Sequence, residues 1–156
     1  MHAASVALPF RRPKVLLPIC IGGLVAGSLD LASAFITYGW PVPRAIASGL
    51  LGRAALQGGL ATWILGVFLH FLIAFSAAAV YCVSSWKLEF LKQHFVVCGL
   101  FYGIAVFLVM NLIVLPLSAV PFKTDTFTLA GVIQGLLVHM FIIGLPISFS
   151  AWRFSK

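Results

Sequence analysis

Four long apolar runs constrain this chain more than any other feature of its sequence. Each run is long enough to cross a bilayer, since a spanning helix needs about 20 mostly apolar residues. Lipid offers no hydrogen-bond partner to an exposed backbone group, so each run has to be helical. The sequence therefore predicts an all-α, polytopic membrane protein in which residues 1–156 form one integral membrane domain. The predicted transmembrane helices cover residues of about 15–38, 60–83, 95–115 and 129–152.

The composition excludes the water-soluble classes of protein. Only 8% of the 156 residues are charged and 62% are hydrophobic, whereas soluble domains carry about 25% charged residues. The net charge of +7 does not indicate a nucleic-acid partner, because the basic residues stand in small groups between the apolar runs. Such groups are typical of the flanks of transmembrane helices. The partner that the composition predicts is the lipid bilayer.

The placement of the basic residues predicts how the chain is threaded. In cytosolic loops lysine and arginine are in excess, and one side of this threading carries more of them than the other. The richer side has Arg11, Arg12, Lys14, Lys87, Lys92, Arg153 and Lys156, and the poorer side has Arg44, Arg53 and Lys123. We therefore expect both termini in the cytosol and the four helices arranged as two hairpins.

The connection between the first two runs, "GWPVPRAIASGLLGRAALQGG", is not a plain loop. Pro43 suits a first helical turn and Gly58 a stop signal, so a short helix is predicted at about 43–57. It is too short to span and reads as interfacial or re-entrant. Arg44 and Arg53 would lie on opposite faces at 3.6 residues per turn. We therefore expect the helix to pack on the outer surface of the bundle, with the arginines reaching headgroups.

The first run has a competing interpretation. The stretch "RRPKVLLPICIGGLVAGSLDLASA" has a basic start, an apolar middle and a small-residue end, as a cleaved signal peptide does. However, the apolar run continues beyond Ala34, and Asp30 lies close to the supposed cleavage site. Four transmembrane helices are therefore expected, and cleavage, which would leave three, stays an open alternative.

Two prolines within the runs predict local kinks. Pro18 stands near the start of the first run and Pro146 inside the fourth. Proline removes a helical hydrogen bond and its ring clashes with the preceding turn. We expect both helices to bend at these positions.

The two halves of the chain resemble each other. "GLVAG" in the first run matches "GLFYG" in the third, and "GVFLHFLIAF" in the second matches "GLLVHMFIIG" in the fourth. Because the first and third runs point the same way, this pattern predicts a parallel repeat about an axis along the membrane normal. The alternative is chance similarity among a few kinds of apolar residue.

Paired glycines predict where helices approach closely. Glycines four residues apart clear one helix face, so that another backbone can come near. The pairs are Gly23 and Gly27, Gly99 and Gly103, and Gly131 and Gly135. These pairs serve contacts within the chain or a homodimer equally well, and they indicate no chemistry.

Several of these motifs resemble a known group of proteins. The segments "GLVAGSLDLASAFITYGWPVPR", "LHFLIAF", "YGIAVFLVMNLIVLPLSAVP" and "HMFIIGLPI" are similar to those of small bacterial inner-membrane proteins, distantly YagU-like. The resemblance implies four transmembrane helices in a bacterial inner membrane. It implies no activity, cofactor or site residue.

Polar residues inside the runs are the candidate functional residues, because ionisable groups in a membrane are costly. Asp30 lies about 12 Å from the outer end of its helix by helix rise, and His70 and His139 each lie about 15 Å from theirs. Asn111 and Gln134 lie nearer the outer face. These five residues form a predicted intramembrane polar layer, in which we expect Asp30 and His70 within direct or one-water reach.

Three interpretations of this layer stay open. Carboxylate and imidazole can exchange a proton near neutral pH, which indicates a proton or cation site. Two histidines and a carboxylate can also bind a transition metal, although no metal motif such as H-E-x-x-H is present and no metal or other cofactor is expected. The third interpretation is structural, with each polar side chain bonded to a neighbouring helix.

No nucleotide-binding loop or nucleophile triad is present, which argues against an enzyme. The predicted function is a small transporter or channel-like protein that uses the polar layer, with an unknown solute. The alternative is a structural or accessory membrane subunit whose polar groups bind a partner helix.

Overall fold

A computed structural model describes residues 15–121 and 128–154. Every regular element in these two ranges is helical, and four helices are long and apolar enough to cross a membrane. The prediction of an all-α chain with four such helices is confirmed. In chain order the helices are α1 (Leu16–Tyr38), α2 (Val42–Leu51), α3 (Leu60–Lys87), α4 (Phe90–Gln93), α5 (Phe95–Leu117) and α6 (Leu129–Phe154). Arg11, Arg12, Lys14, Lys123 and Lys156, on which the predicted topology partly rests, lie outside the described residues.

The connection between α1 and α3 is divided at a glycine. The sequence predicts one short helix there, but α2 ends at Leu51 and a separate 3₁₀ turn follows over Gly52–Gln57. Gly52 has a φ of 68°, and Gly39, which ends α1, has a φ of 77°. Residues with a side chain rarely adopt a backbone conformation with such a positive φ. These two glycines therefore set both ends of α2. Pro43 lies in the first turn of α2, where a proline loses no helical hydrogen bond.

The long helices pack through small residues. α1 lies against α3 and α6, α5 lies against α6, and α2 lies on α3. A Cβ added to Gly66 of α3 would overlap the carbonyl oxygen of Pro43, so the backbones of α2 and α3 are in direct contact. The connection after α5 is hydrogen-bonded to α2, because the Ala119 N–H donates to the Gly49 carbonyl at 2.8 Å.

Hydrogen bonds from side-chain hydroxyls to backbone carbonyls join neighbouring helices. The Ser150 hydroxyl donates to the Pro18 carbonyl at 2.8 Å, which ties α6 to α1. The Tyr102 hydroxyl donates to the Ala77 carbonyl at 2.7 Å, which ties α5 to α3. Such bonds hold membrane helices together where lipid supplies no hydrophobic driving force between them.

Pro116 and Pro146 each follow a segment of π-helix, so the backbone widens before these prolines instead of forming a simple kink. In α5 the π segment is Met110–Val114, and Pro116 follows it. In α6 the π segment is His139–Gly144, and Pro146 follows it. The residue before each proline donates its N–H to a carbonyl five residues back, as a π turn does. Because a proline cannot donate and clashes with the carbonyl four residues before it, a wider turn relieves both problems.

Pro18 differs from these two prolines. It lies in the first turn of α1, where the backbone N–H groups have no helical partner to lose. The physical reason for the kink that the sequence predicts at Pro18 is therefore absent.

Candidate functional site

A cavity of about 110 Å³ lies inside the bundle. All four long helices and α2 contribute to its walls. The lining residues are Ala26, Gly27, Asp30, Ile46, His70, Ile73, Ala74, Ala77, Val106, Met110, His139 and Ile143. Only the aspartate and the two histidines among them are ionisable, and each comes from a different helix. The cavity therefore brings together, in apolar surroundings, the three ionisable residues of the predicted polar layer.

His70 is held in place by the backbone of the neighbouring helix. Its Nε2 lies 2.8 Å from the carbonyl oxygen of Gly27 in α1. A carbonyl only accepts hydrogen bonds, so Nε2 has to carry the hydrogen. In the neutral ring the other nitrogen, Nδ1, then keeps its lone pair and can only accept. One nitrogen of His70 thus positions the ring, and the other is available for a proton or ligand.

His139 has the opposite arrangement of nitrogens. Its Nδ1 lies 2.8 Å from the carbonyl oxygen of Gly135, one turn earlier in the same helix. This nitrogen is therefore the donor, and Nε2 keeps the lone pair in the neutral ring. The imidazole ring and the ring of Phe107 pack in a T-shaped arrangement, with their centroids 5.3 Å apart. His139 is also the first residue of the π segment in α6, and π turns occur often at functional sites.

Asp30 faces both histidines without bonding to either. It is half-buried, and both His139 and His70 are close enough to interact electrostatically with its carboxylate. Within residues 15–121 and 128–154, neither a hydrogen bond nor an ion pair joins Asp30 to another side chain, since the histidines donate to backbone carbonyls instead. The predicted direct contact between Asp30 and His70 is therefore not found. Contact through one water stays a prediction.

The other two polar residues of the predicted layer do not line the cavity. The Asn111 side chain donates to the Phe107 carbonyl of its own helix at 2.8 Å. Gln134 is exposed, and its amide lies 3.5 Å from the Thr37 hydroxyl of α1. The structure thus divides the five predicted residues into a group of three at the cavity and two separate residues outside it.

Four of the predicted packing glycines lie buried between helices. Gly23 and Gly27 face α3, and Gly99 and Gly103 face α6. A Cβ on Gly103 would overlap the backbone of His139. These glycines therefore set the helix spacing on both sides of the cavity, because the histidines lie on the helices that they face.

The third predicted glycine pair, Gly131 and Gly135, does not meet the backbone of another helix. Gly144 does, and it was not identified from the sequence. Gly131 is exposed, and a Cβ there would meet only the Thr128 hydroxyl of its own helix end. A Cβ on Gly135 would overlap the ring of Phe107. The close backbone approach in α6 occurs instead at Gly144, where a Cβ would overlap the backbone of α5.

Two lining residues outside the predicted layer also shape the site. Ile46 brings α2 to the cavity wall, and Met110 begins the π segment of α5. The sequence does contain one signal for Met110, which is the proline downstream of it. Pro116 and Pro146 follow the π segments that start at Met110 and His139, so a proline downstream of a lining residue recurs in both helices.

The chemistry of the cavity is that of hydrogen-bond acceptors. With neutral rings and an ionised carboxylate, Asp30, His70 Nδ1 and His139 Nε2 can only accept. In the described part of the chain, no group of three His, Cys, Asp or Glu residues is arranged to hold a metal ion. The arrangement can bind a proton or another hydrogen-bond donor.

Comparison of this chain with protein-family models, with curated proteins and with solved structures finds no match.

Proposed function

We propose that this protein is a small transporter or channel-like protein of the bacterial inner membrane, and that its cavity binds a proton or a cation during transport. The observation that carries the proposal is the meeting of Asp30, His70 and His139 at one otherwise apolar cavity. Ionisable groups inside a membrane are costly and commonly belong to ion or proton pathways. Histidine is suited to such a pathway, because its ring titrates near neutral pH.

The hydrogen bonds of the two histidines support this proposal over a purely structural role. Each ring donates one N–H to a backbone carbonyl, and this bond is sufficient to fix its position. A purely structural role would not require the second ring nitrogen, which is Nδ1 in His70 and Nε2 in His139. In both rings that nitrogen is the acceptor, and both rings line the cavity with Asp30.

A second candidate function has its own observation. The exposed face of α6 carries Gly131 and Gln134, and the glutamine makes only a long hydrogen bond to α1. A small residue beside an amide is a combination that binds another helix in a membrane. An accessory subunit with a partner helix on this face, or a homodimer through it, is therefore the alternative.

We further propose two hairpins with both termini in the cytosol, and α2 as an interfacial or re-entrant helix on the outer surface. Lys87, Lys92 and Arg153 at the proposed inner ends support the orientation. Arg44 within α2 and Arg53 in the turn that follows it support a helix at headgroup level. Arg44 adds a specific point, because its Nε is buried with no hydrogen-bond partner among the described residues. Arg44 is otherwise partly exposed, so a lipid phosphate at the outer surface would serve as acceptor for its remaining N–H groups.

The parallel repeat and the YagU-like resemblance also stay proposals. The packing of α1 against α3 and of α5 against α6 supports the repeat, since each pair brings one glycine motif against one histidine helix. If the repeat is real, a rotation about an axis near the membrane normal superposes His70 on His139.

Reporter fusions test the topology. A reporter fused at Lys156 and another inserted between α3 and α5 are both expected to give a cytosolic signal, because the positive-inside rule places these basic segments there. A third reporter placed after Gln57 is expected to report the opposite side. A periplasmic signal from the C-terminal fusion would reject the orientation.

Matched histidine variants test the function. In His70→Gln the amide can keep the bond to the Gly27 carbonyl, and in His139→Asn it can keep the bond to the Gly135 carbonyl. Both variants remove an imidazole ring from the cavity. We expect folded proteins whose proton flux into liposomes, driven by a potassium diffusion potential, is at least about tenfold lower, in line with loss of a proton-transfer group.

The control for these variants is Glu89→Gln, which neutralises an exposed carboxylate outside the cavity. Its flux is expected to equal that of the unmodified protein. Histidine variants with unchanged flux, or an unmodified protein whose flux does not exceed that of empty liposomes, would reject proton transport. If no cation is transported either, the transport proposal fails and the accessory subunit is favoured.

A further inference from the structure

We infer that the cation taken by this cavity is ammonium or a small primary ammonium ion such as methylammonium. The inference rests on the proposed transport function and names the substrate class of the same site. Three properties of the cavity carry it: an unmatched set of acceptors, a small volume and apolar walls.

The acceptor set comes first. Asp30, His70 Nδ1 and His139 Nε2 accept hydrogen bonds, and the nine other lining residues have no side-chain N–H or O–H group to offer them. Three acceptors and one negative charge in an apolar cavity need hydrogen-bond donors, and a cation supplies the opposite charge together with the donors. A single proton held by the cluster provides one donor. A primary ammonium ion carries three N–H donors and one positive charge, which matches both the acceptors and the charge.

The same acceptors disfavour metal cations. Imidazole nitrogen suits transition metals rather than alkali or alkaline-earth ions, which prefer several oxygen ligands. Asp30 supplies the only side-chain oxygens in the lining. A transition metal needs its ligands to converge, and in the part of the chain that the structure describes no three such residues do so. The acceptors of an ammonium ion lie about 2.7–3.2 Å from its nitrogen, whereas N and O ligands of zinc lie about 2.0–2.2 Å from the metal, so the three groups need not converge as tightly.

The volume limits the size of the ion. About 110 Å³ corresponds to the volume of roughly three to four waters in the liquid, at about 30 Å³ each. A cation of up to about four heavy atoms fits by this measure, and ammonium or methylammonium leaves room for a water. The walls favour a small apolar group on the cation, since Ile73, Ala74, Ala77 and Val106 provide methyl surfaces beside the acceptors.

A comparison of ions in one assay tests the inference. Proteoliposomes of the full chain are adsorbed to a sensor, and charge movement is recorded after concentration jumps of ammonium, methylammonium, potassium or tetramethylammonium at constant pH. We expect saturable currents with ammonium and methylammonium, and at most a tenth of that current with potassium. Potassium has the same charge without donors. Tetramethylammonium has no N–H donor, so no current is expected.

A variant of the wall adds a test that does not depend on the ionisable residues. Ala77→Val fills part of the cavity and is expected to lower the methylammonium current at least twofold more than the ammonium current. Glu89→Gln is the control and is expected to leave both currents unchanged. If the wall variant lowers both currents equally, the methyl group does not enter this cavity and the assignment of the ion to it is wrong.

A jump of pH in the same proteoliposomes separates the inference from the proposed function. Current after a pH jump, with none after any amine jump, overturns the ammonium inference and leaves a proton transporter. Equal currents for potassium and ammonium also overturn it, because they indicate selection by charge alone. No current after any jump rejects the transport function itself.

Discussion

Gly144→Ala is expected to destabilise the protein by about 3 kcal/mol or more, at the upper end of the usual cost of overpacking. The added methyl group would overlap the carbonyl oxygen of Gly99 and lie 2.8 Å from the backbone nitrogen of Gly103. Both are backbone atoms, so no side chain can rotate away and α5 has to move from α6. The measurement is the midpoint of thermal unfolding in detergent, followed by tryptophan fluorescence.

Gly131→Ala is the matched control, because it makes the same change in the same helix. A Cβ there would meet only the Thr128 hydroxyl, at 3.1 Å, on an exposed face. Alanine is the better helix former by up to about 1 kcal/mol, so the midpoint is expected to stay unchanged or to rise slightly. Equal loss of stability in both variants would show that the tight approach at Gly144 does not exist.

Asp30→Asn is expected to stabilise the protein while abolishing transport. The carboxylate lies in a mostly apolar cavity, and its neighbours His70 and His139 donate to backbone carbonyls. A buried polar group without a hydrogen bond costs about 1–3 kcal/mol in proteins, and an ionised one costs more. Neutral asparagine has nearly the same size, and its amide can donate to an imidazole acceptor. Stability and function then change in opposite directions, as is common when a site carries an unfavourable group for its activity.

The measurement for this variant is again the unfolding midpoint, taken at pH 8.5, where protons for the carboxylate are scarce. A rise of about 2–10 °C is expected, from a shift of about 2–4 °C per kcal/mol for a chain of this length. Glu89→Gln, at an exposed site, is expected to leave the midpoint within about 1 °C, since exposed charges contribute little. A fall of several degrees in Asp30→Asn with unchanged transport would instead make Asp30 a packing residue.

The sequence by itself determined the helices that can span a membrane. Hydropathy is a local property, and runs of about 20 apolar residues leave the backbone no alternative to helix in lipid. The predicted runs therefore agree with α1, α3, α5 and α6 within a few residues, and α3 extends one turn further to Lys87. The depth of Asp30, His70 and His139 was equally accessible, because helix rise converts residue number into distance along the axis.

Local backbone conformation was only partly predictable. Gly52 divides the predicted short helix between α1 and α3 through a φ of 68°, and a glycine in an apolar stretch gives no sign of which conformation it adopts. Pro146 predicted a distortion in α6, and the structure specifies a π turn that begins seven residues earlier, at His139. Whether a proline produces a kink or a wider turn depends on what the neighbouring helix accepts, and Gly103 of α5 is the neighbour at that point.

Only the tertiary structure decided which polar and small residues meet. Depth placed Asn111 and Gln134 nearer the outer face than the other three residues. It says nothing about rotation around a helix axis, however, so it could not show which of the five side chains line one cavity. It also could not show that His70 bonds the Gly27 carbonyl rather than the Asp30 carboxylate. Rotation and register are set by how side chains of different helices fit against each other, as the contact of Gly144 with Gly99 illustrates. A contact between residues far apart in the chain has no local sequence pattern, and so packing alone determines the site.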